Sequence, residues 1–150
     1  MTIASRLLSV VDRFAPPQSV AAHCDVPCGI YDPEQARIEA ESVYKIINKY
    51  HDSSDQEFRA RCIQVKEDRA EICKHHISVL WSDYFKPKHL EQFPNLHDTC
   101  WRALKQCSEV KHSADADAAK TLLDLINEID DMWKKSGGPD STRVSGRPGA

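Results

Sequence analysis

A chain of 150 residues and 17.0 kDa, 41 % apolar and 29 % charged, has the length of one domain and the composition of a water-soluble globular protein. No apolar run approaches the ~20 residues of a bilayer helix and the mean hydropathy is -0.54, which excludes a membrane-spanning protein. A net charge of -3 gives no reason to expect nucleic acid or an anionic membrane as a partner.

Residues 1–22 read as a leader: Ile3 to Phe14 can form a short amphipathic helix, and Ala15 to Ala22 is a small, Pro-interrupted stretch. Val20 and Ala22 suit signal peptidase, but the apolar run Leu7-Leu8-Ser9-Val10-Val11 is short and Asp12 interrupts it, so a pro-segment removed in the cytoplasm is favoured over a secretory signal. The first helix of the main body is predicted to start at Asp32 as N-cap, with Pro33 at the first helical position and Gln35 closing a capping box. It runs to about Tyr50, with Ala36, Ile38, Ala40, Val43, Ile46, Ile47 and Tyr50 as its apolar stripe. Ser53 and Ser54 offer the next cap, and a second helix from Asp55 to about Tyr84 would be roughly 45 Å long. Its expected buried positions are Phe58, Cys62, Val65, Ile72, Val79 and Leu80.

Pro94-Asn95 opens a third helix, with Leu96, Cys100, Ala103, Leu104, Cys107 and Val110 inward. Asp115 or Asp117 opens a fourth, with Leu122, Leu125, Ile126, Ile129 and Trp133 inward, and Gly137-Gly138-Pro139 stops it. Four helices, short connections and no strand pattern predict an all-α antiparallel four-helix bundle. Residues 136–150 have little to bury and are expected to form a disordered tail.

The chemistry is concentrated before the first helix, in His23-Cys24-Asp25-Val26-Pro27-Cys28-Gly29-Ile30-Tyr31-Asp32-Pro33. The C-x3-C spacing has no second cysteine pair with which to close a zinc site, and it is not the C-x-x-C of a redox dithiol. Cleavage between Ala22 and His23 would free an amine. That amine, the Cys24 amide nitrogen and the Cys24 sulfur then form two fused five-membered chelate rings, and Cys28 turns back as a fourth donor. Pro27 and Gly29 suit the turn, and the His23 imidazole can reach an axial position. Two nitrogens and two sulfurs in a plane favour Ni(II) or Cu(II) over zinc.

His23 to Asp32 resembles the nickel hook of the nickel-containing superoxide dismutases. The similarity continues in order through Ala36-Arg37-Ile38-Glu39-Ala40-Glu41-Ser42-Val43 and from Lys74 to Pro87, and covers about His23 to Lys135. The resemblance implies a four-helix bundle, a homohexamer in the cytoplasm with one nickel ion per subunit, maturation by a processing peptidase, and disproportionation of superoxide. It implies His23, Cys24 and Cys28 as metal ligands, Tyr31 as a phenol at the open axial face, and Lys86 as an attractor of superoxide. Glu39 and Arg69 would fix the axial imidazole, with Arg69 supplied by a neighbouring subunit, and Asp25 would hold the hook through backbone hydrogen bonds.

Other readings of the same residues compete. A nickel or copper carrier would use the hook without turnover, and a non-catalytic helical interaction protein would use the bundle alone. Cys62, Cys73, Cys100 and Cys107 are expected to be buried as small apolar residues, with pairing between helices left open, and Trp81, Trp101 and Trp133 to be core or interface aromatics.

Overall fold

The computed structural model describes residues 29–138. The leader, its cleavage point at Ala22 and His23, Asp25, the donors His23, Cys24 and Cys28, and the tail beyond Gly138 lie outside the described residues. Within them the chain forms five α-helices: α1 (Glu34–Asp52), α2 (Gln56–Val79), α3 (Pro87–Gln92), α4 (Leu96–His112) and α5 (Ala116–Lys135). A π-helical turn, Leu80–Tyr84, extends α2. The four long helices pack in a ring, α1 on α2, α2 on α4, α4 on α5 and α5 back on α1, which is the expected four-helix bundle.

Helix ends follow local hydrogen bonding. Asp32 accepts the Glu34 amide at 2.8 Å and Arg37 donates to the Pro33 carbonyl at 3.1 Å, so α1 starts at Glu34 with Pro33 at its N-cap position, one residue later than the Asp-Pro pair predicts. For α2 the cap is Asp55, not Ser53 or Ser54. Its carboxylate accepts the Glu57 and Phe58 amides, and Ser53 instead accepts the Asp55 amide. Asp115 rather than Asp117 caps α5, accepting the Asp117 amide at 2.8 Å. At the far end Gly138 donates to the Trp133 carbonyl and Gly137, at φ 87°, to the Lys134 carbonyl, a Schellman closure that needs glycine at its left-handed position. A Cβ on Gly138 would collide with the Trp133 ring.

The α4 and α5 faces are buried as their apolar patterns require, with Leu104 partly buried. The α2 face is not. Its buried positions are Cys62, Lys66, Ala70, Cys73 and Ile77, continuing to Leu80, whereas Val65 is 43 % exposed and Phe58, Ile72 and Val79 are only half-buried. The helical step selects Lys66 over Val65, and the lysine is tolerated because its Nζ donates to the carbonyls of Lys111 and Ser113, both at 2.8 Å. These carbonyls sit at the C-terminal end of α4, where an intrahelical partner is lacking and a cation is favoured. Burial nevertheless pushes the Lys66 ammonium pKa down.

The α-helical part of α2 stops at Val79 rather than near Tyr84, and the bond from the Phe85 amide to the Leu80 carbonyl, 3.1 Å, closes the wider π turn. Helix α3, which the sequence pattern did not predict, follows at once. Pro87 occupies its first position and Lys86 its cap. The Lys86 amide donates to His89 Nδ1 at 3.0 Å while the His89 amide donates to the Lys86 carbonyl at 2.8 Å. Six residues are too few to show an apolar stripe.

Candidate metal centre

The described chain begins with the residue that follows Cys28. Gly29 takes φ 72°, a left-handed conformation that glycine adopts without strain and that permits a sharp change of direction between the cysteine and α1. Ile30 is exposed, and Tyr31 turns inward against the core. Its ring centre lies 5.8 Å from that of Tyr84 at a tilt of 52°. Tyr84 is held in turn by the rings of Phe85, His89 and Trp133 and by a 2.7 Å hydrogen bond between its hydroxyl and Ser136 Oγ. The base of the hook thus stands on an aromatic cluster built from the π turn, α3 and the end of α5.

A pocket of about 150 Å³ opens beside Tyr31, lined by Ile30, Asp32 and Gln35 from one side and His76, Val79 and Leu80 from the other. Lys86 belongs to the same end of the bundle, two residues after Tyr84, and its ammonium donates to the Asp83 carbonyl at 2.6 Å. His89, buried beneath it, has its pKa lowered by burial and by Lys88 and Lys86, and the neutral ring accepts the Lys86 amide at Nδ1.

Glu39 and Arg69 form a separate group. They face each other from α1 and α2, with Arg69 Nη1 3.3 Å from Glu39 Oε2 and the carboxylate mostly buried. The resemblance brings Arg69 from a neighbouring subunit, whereas here it reaches Glu39 of its own chain, so the two stand as one unit. Five residues into α1, Glu39 lies roughly 8 Å along the axis from the helix start. Of the predicted site residues, the structure therefore brings Tyr31 and Lys86 to one end of the bundle and pairs Glu39 with Arg69 further along it.

Sequence reasoning assigns no site role to Tyr84 and points His76 and His89 to core or capping roles, and His89 is indeed buried and caps α3. Tyr84 carried a signal, since it stands in the segment that resembles the family. His76 carried none, because the step from His75 to His76 changes helix face.

Among the described residues no group of three or more His, Cys, Asp or Glu side chains is arranged to hold a metal ion. The sequence immediately before Gly29 has the composition for one, with two thiols and an imidazole in His23, Cys24 and Cys28. Soft sulfur with nitrogen in a plane suits nickel. The family profile described as nickel-containing superoxide dismutase matches residues 18–136, a span that includes every one of these donors together with Tyr31, Glu39, Arg69 and Lys86.

The chain belongs to the nickel-containing superoxide dismutases.

It is 51 % identical over 120 residues to the superoxide dismutase [Ni] of Streptomyces coelicolor, covering 80 % of this chain and 92 % of that one. The superoxide dismutase [Ni] of Streptomyces seoulensis matches with the same identity and coverage. A native nickel superoxide dismutase structure at 1.30 Å superposes with a TM-score of 0.75 at 49 % identity, covering 77 % of this chain and 99 % of that one. The likeness to this nickel superoxide dismutase thus extends over nearly its whole length.

Proposed function

We propose that this chain, once cleaved between Ala22 and His23, disproportionates superoxide to dioxygen and hydrogen peroxide. Two superoxide anions and two protons are consumed for each dioxygen and peroxide formed. One nickel ion per subunit would be held by the His23 amine and imidazole, the Cys24 amide nitrogen and thiolate, and the Cys28 thiolate. Nickel bound by these donors supplies a Ni(II)/Ni(III) couple, because thiolate and deprotonated amide raise electron density enough to bring Ni(III) within reach.

The remaining residues act around that centre. Tyr31, braced by Tyr84, presents a phenol that orients water or superoxide at the open face. Lys86 supplies a positive charge that draws an anionic substrate to a chain of net charge -3. The Glu39–Arg69 pair offers a carboxylate to orient the His23 ring through its second nitrogen, as ligand histidines generally require. Asp25 would brace the hook through its backbone. A homohexamer matured by a peptidase in the cytoplasm completes the reading, supported by the family membership. No helix of the described residues is long and apolar enough to cross a membrane.

The observation that carries this reading is the placement of Tyr31. The residue three after the second thiol is planted on the bundle by an aromatic cluster, and Gly29 between them takes a left-handed backbone conformation. Cys24→Ser or Cys28→Ser in the cleaved protein should abolish dismutase activity while leaving the helical circular dichroism unchanged. Near-normal turnover in either variant would overturn the ligand assignment.

A further inference from the structure

Two thiols outside the proposed centre meet in the core. Cys73 on α2 and Cys107 on α4 are fully buried, and their Sγ atoms lie 3.8 Å apart across helices that pack directly on each other. Cys107 donates its thiol hydrogen to Cys73, and Cys73 donates to the Ala36 carbonyl of α1 at 3.4 Å, so both sulfurs are held in place. Their separation is within about 2 Å of a disulfide bond length. Cys62 and Cys100 are also buried and free, but among the described residues neither shares a hydrogen bond with another thiol.

The geometry points to Cys73 and Cys107 as a latent cross-link, which hydrogen peroxide oxidises to a disulfide fastening α2 to α4. The thiol contact stands whatever the chain's activity. Only the local source of peroxide rests on the proposed function, so the test supplies peroxide from outside.

The chemistry balances as two steps. One sulfur, as thiolate, attacks a peroxide oxygen and the O–O bond breaks; the departing hydroxide takes up the thiol's proton as water, leaving a sulfenic acid. The second sulfur then attacks the sulfenic sulfur, the S–S bond forms, and the S–O bond breaks with release of a second water carrying the second thiol's proton. Two thiols and one peroxide give one disulfide and two waters. The contact at 3.8 Å decides the product, because a sulfenic acid on either residue meets a thiol before a second peroxide. The hydrogen bond from Cys107 and burial hold the Cys73 thiol far above the usual thiol range, so reaction is slow and waits on local opening of the core.

The cross-link would act on the layer that carries the Glu39–Arg69 pair. Arg69 is one turn before Cys73 on α2, and Glu39 is one turn after Ala36 on α1.

The test treats the metal-loaded, cleaved protein with excess hydrogen peroxide, alkylates the remaining thiols, and maps peptides by mass without reduction. The expected result is a peptide pair joined through Cys73 and Cys107, released by dithiothreitol, with the loss of two alkylatable thiols per chain at those positions. In Cys107→Ser the pair is absent and Cys73 proceeds to the sulfinic acid. Recovery of Cys73 and Cys107 as free or separately over-oxidised thiols, after Cys62 and Cys100 have been consumed, would overturn the inference. The map of the unsubstituted chain decides this even where the variant fails to fold. The peptide carrying Cys24 and Cys28 is read separately, so a failure of the nickel reading shows there and leaves the core result intact.

Discussion

Helices α2 and α5 are of similar length and both line the core, yet they bury different chemistry. The inner face of α5 is Leu122, Leu125, Ile126, Ile129 and Trp133, almost all hydrocarbon. The one buried charge there, Asp130, takes Arg37 of α1 at 3.0 Å and Lys134 of its own helix at 2.7 Å. The inner face of α2 is Cys62, Lys66, Ala70, Cys73 and Ile77, small or polar at four of five positions. An apolar pattern reports burial only where burial is driven by hydrocarbon. Where small residues allow close helix approach, or helix-end carbonyls receive an ammonium, the pattern points to the wrong residues.

The contrast can be sharpened by substitutions on the two helices. Ile129→Ala on α5 should cost about 2–5 kcal/mol, the range for emptying a well-packed core site, read as a lowered urea midpoint. Lys66→Met keeps the volume on α2 but leaves the Lys111 and Ser113 carbonyls without their donor. A loss of about 1–3 kcal/mol is expected from those part-buried acceptors, and an unchanged or raised midpoint would show that the lysine is merely accommodated.

The His89 ring provides a smaller, pH-dependent effect. Its pKa in the fold is below the ordinary 6.5, so between the two values the unfolded chain binds more protons and stability rises with pH. Stability should therefore fall as pH drops from 6.5 through the folded value, where protonation also removes the acceptor for the Lys86 amide. His89→Gln should flatten that part of the pH profile, and an identical slope in the variant would assign it to other groups. Val65→Ser on α2 is expected to have the smallest effect, within about 0.5 kcal/mol, because the valine lies outside the buried stripe despite its hydropathy.

The same distinction explains what could be read of the site. The hook was legible because its proposed chemistry is local: the chelate proposed for His23, Cys24 and Cys28 would draw on consecutive backbone and nearby side-chain atoms, and Asp32-Pro33 marks the approach to the first helix. Glu39 and Arg69 were legible as individual charges only through family resemblance. Their contact across α1 and α2 depends on packing, since they stand 30 positions apart in the chain. The support beneath Tyr31 was not legible at all. It requires the π turn to carry Tyr84 toward Tyr31, and α3 and the end of α5 to bring His89 and Trp133 beside it. A π turn has no apolar period of its own, and α3 is shorter than one repeat of the helical stripe. The four-helix plan survived these omissions because α1, α4 and α5 each announced an inward face.

A free amine at His23 completes the nickel site in the function proposed for this chain. The most direct measurement takes the chain beginning at His23 and the chain verified by intact mass to retain residues 1–22, loads both with nickel under reducing conditions, and determines bound nickel and dismutase activity on each. One nickel per subunit and full activity in the cleaved chain, with neither in the longer one, is the predicted result. Equal nickel content and equal activity in the two chains would contradict it.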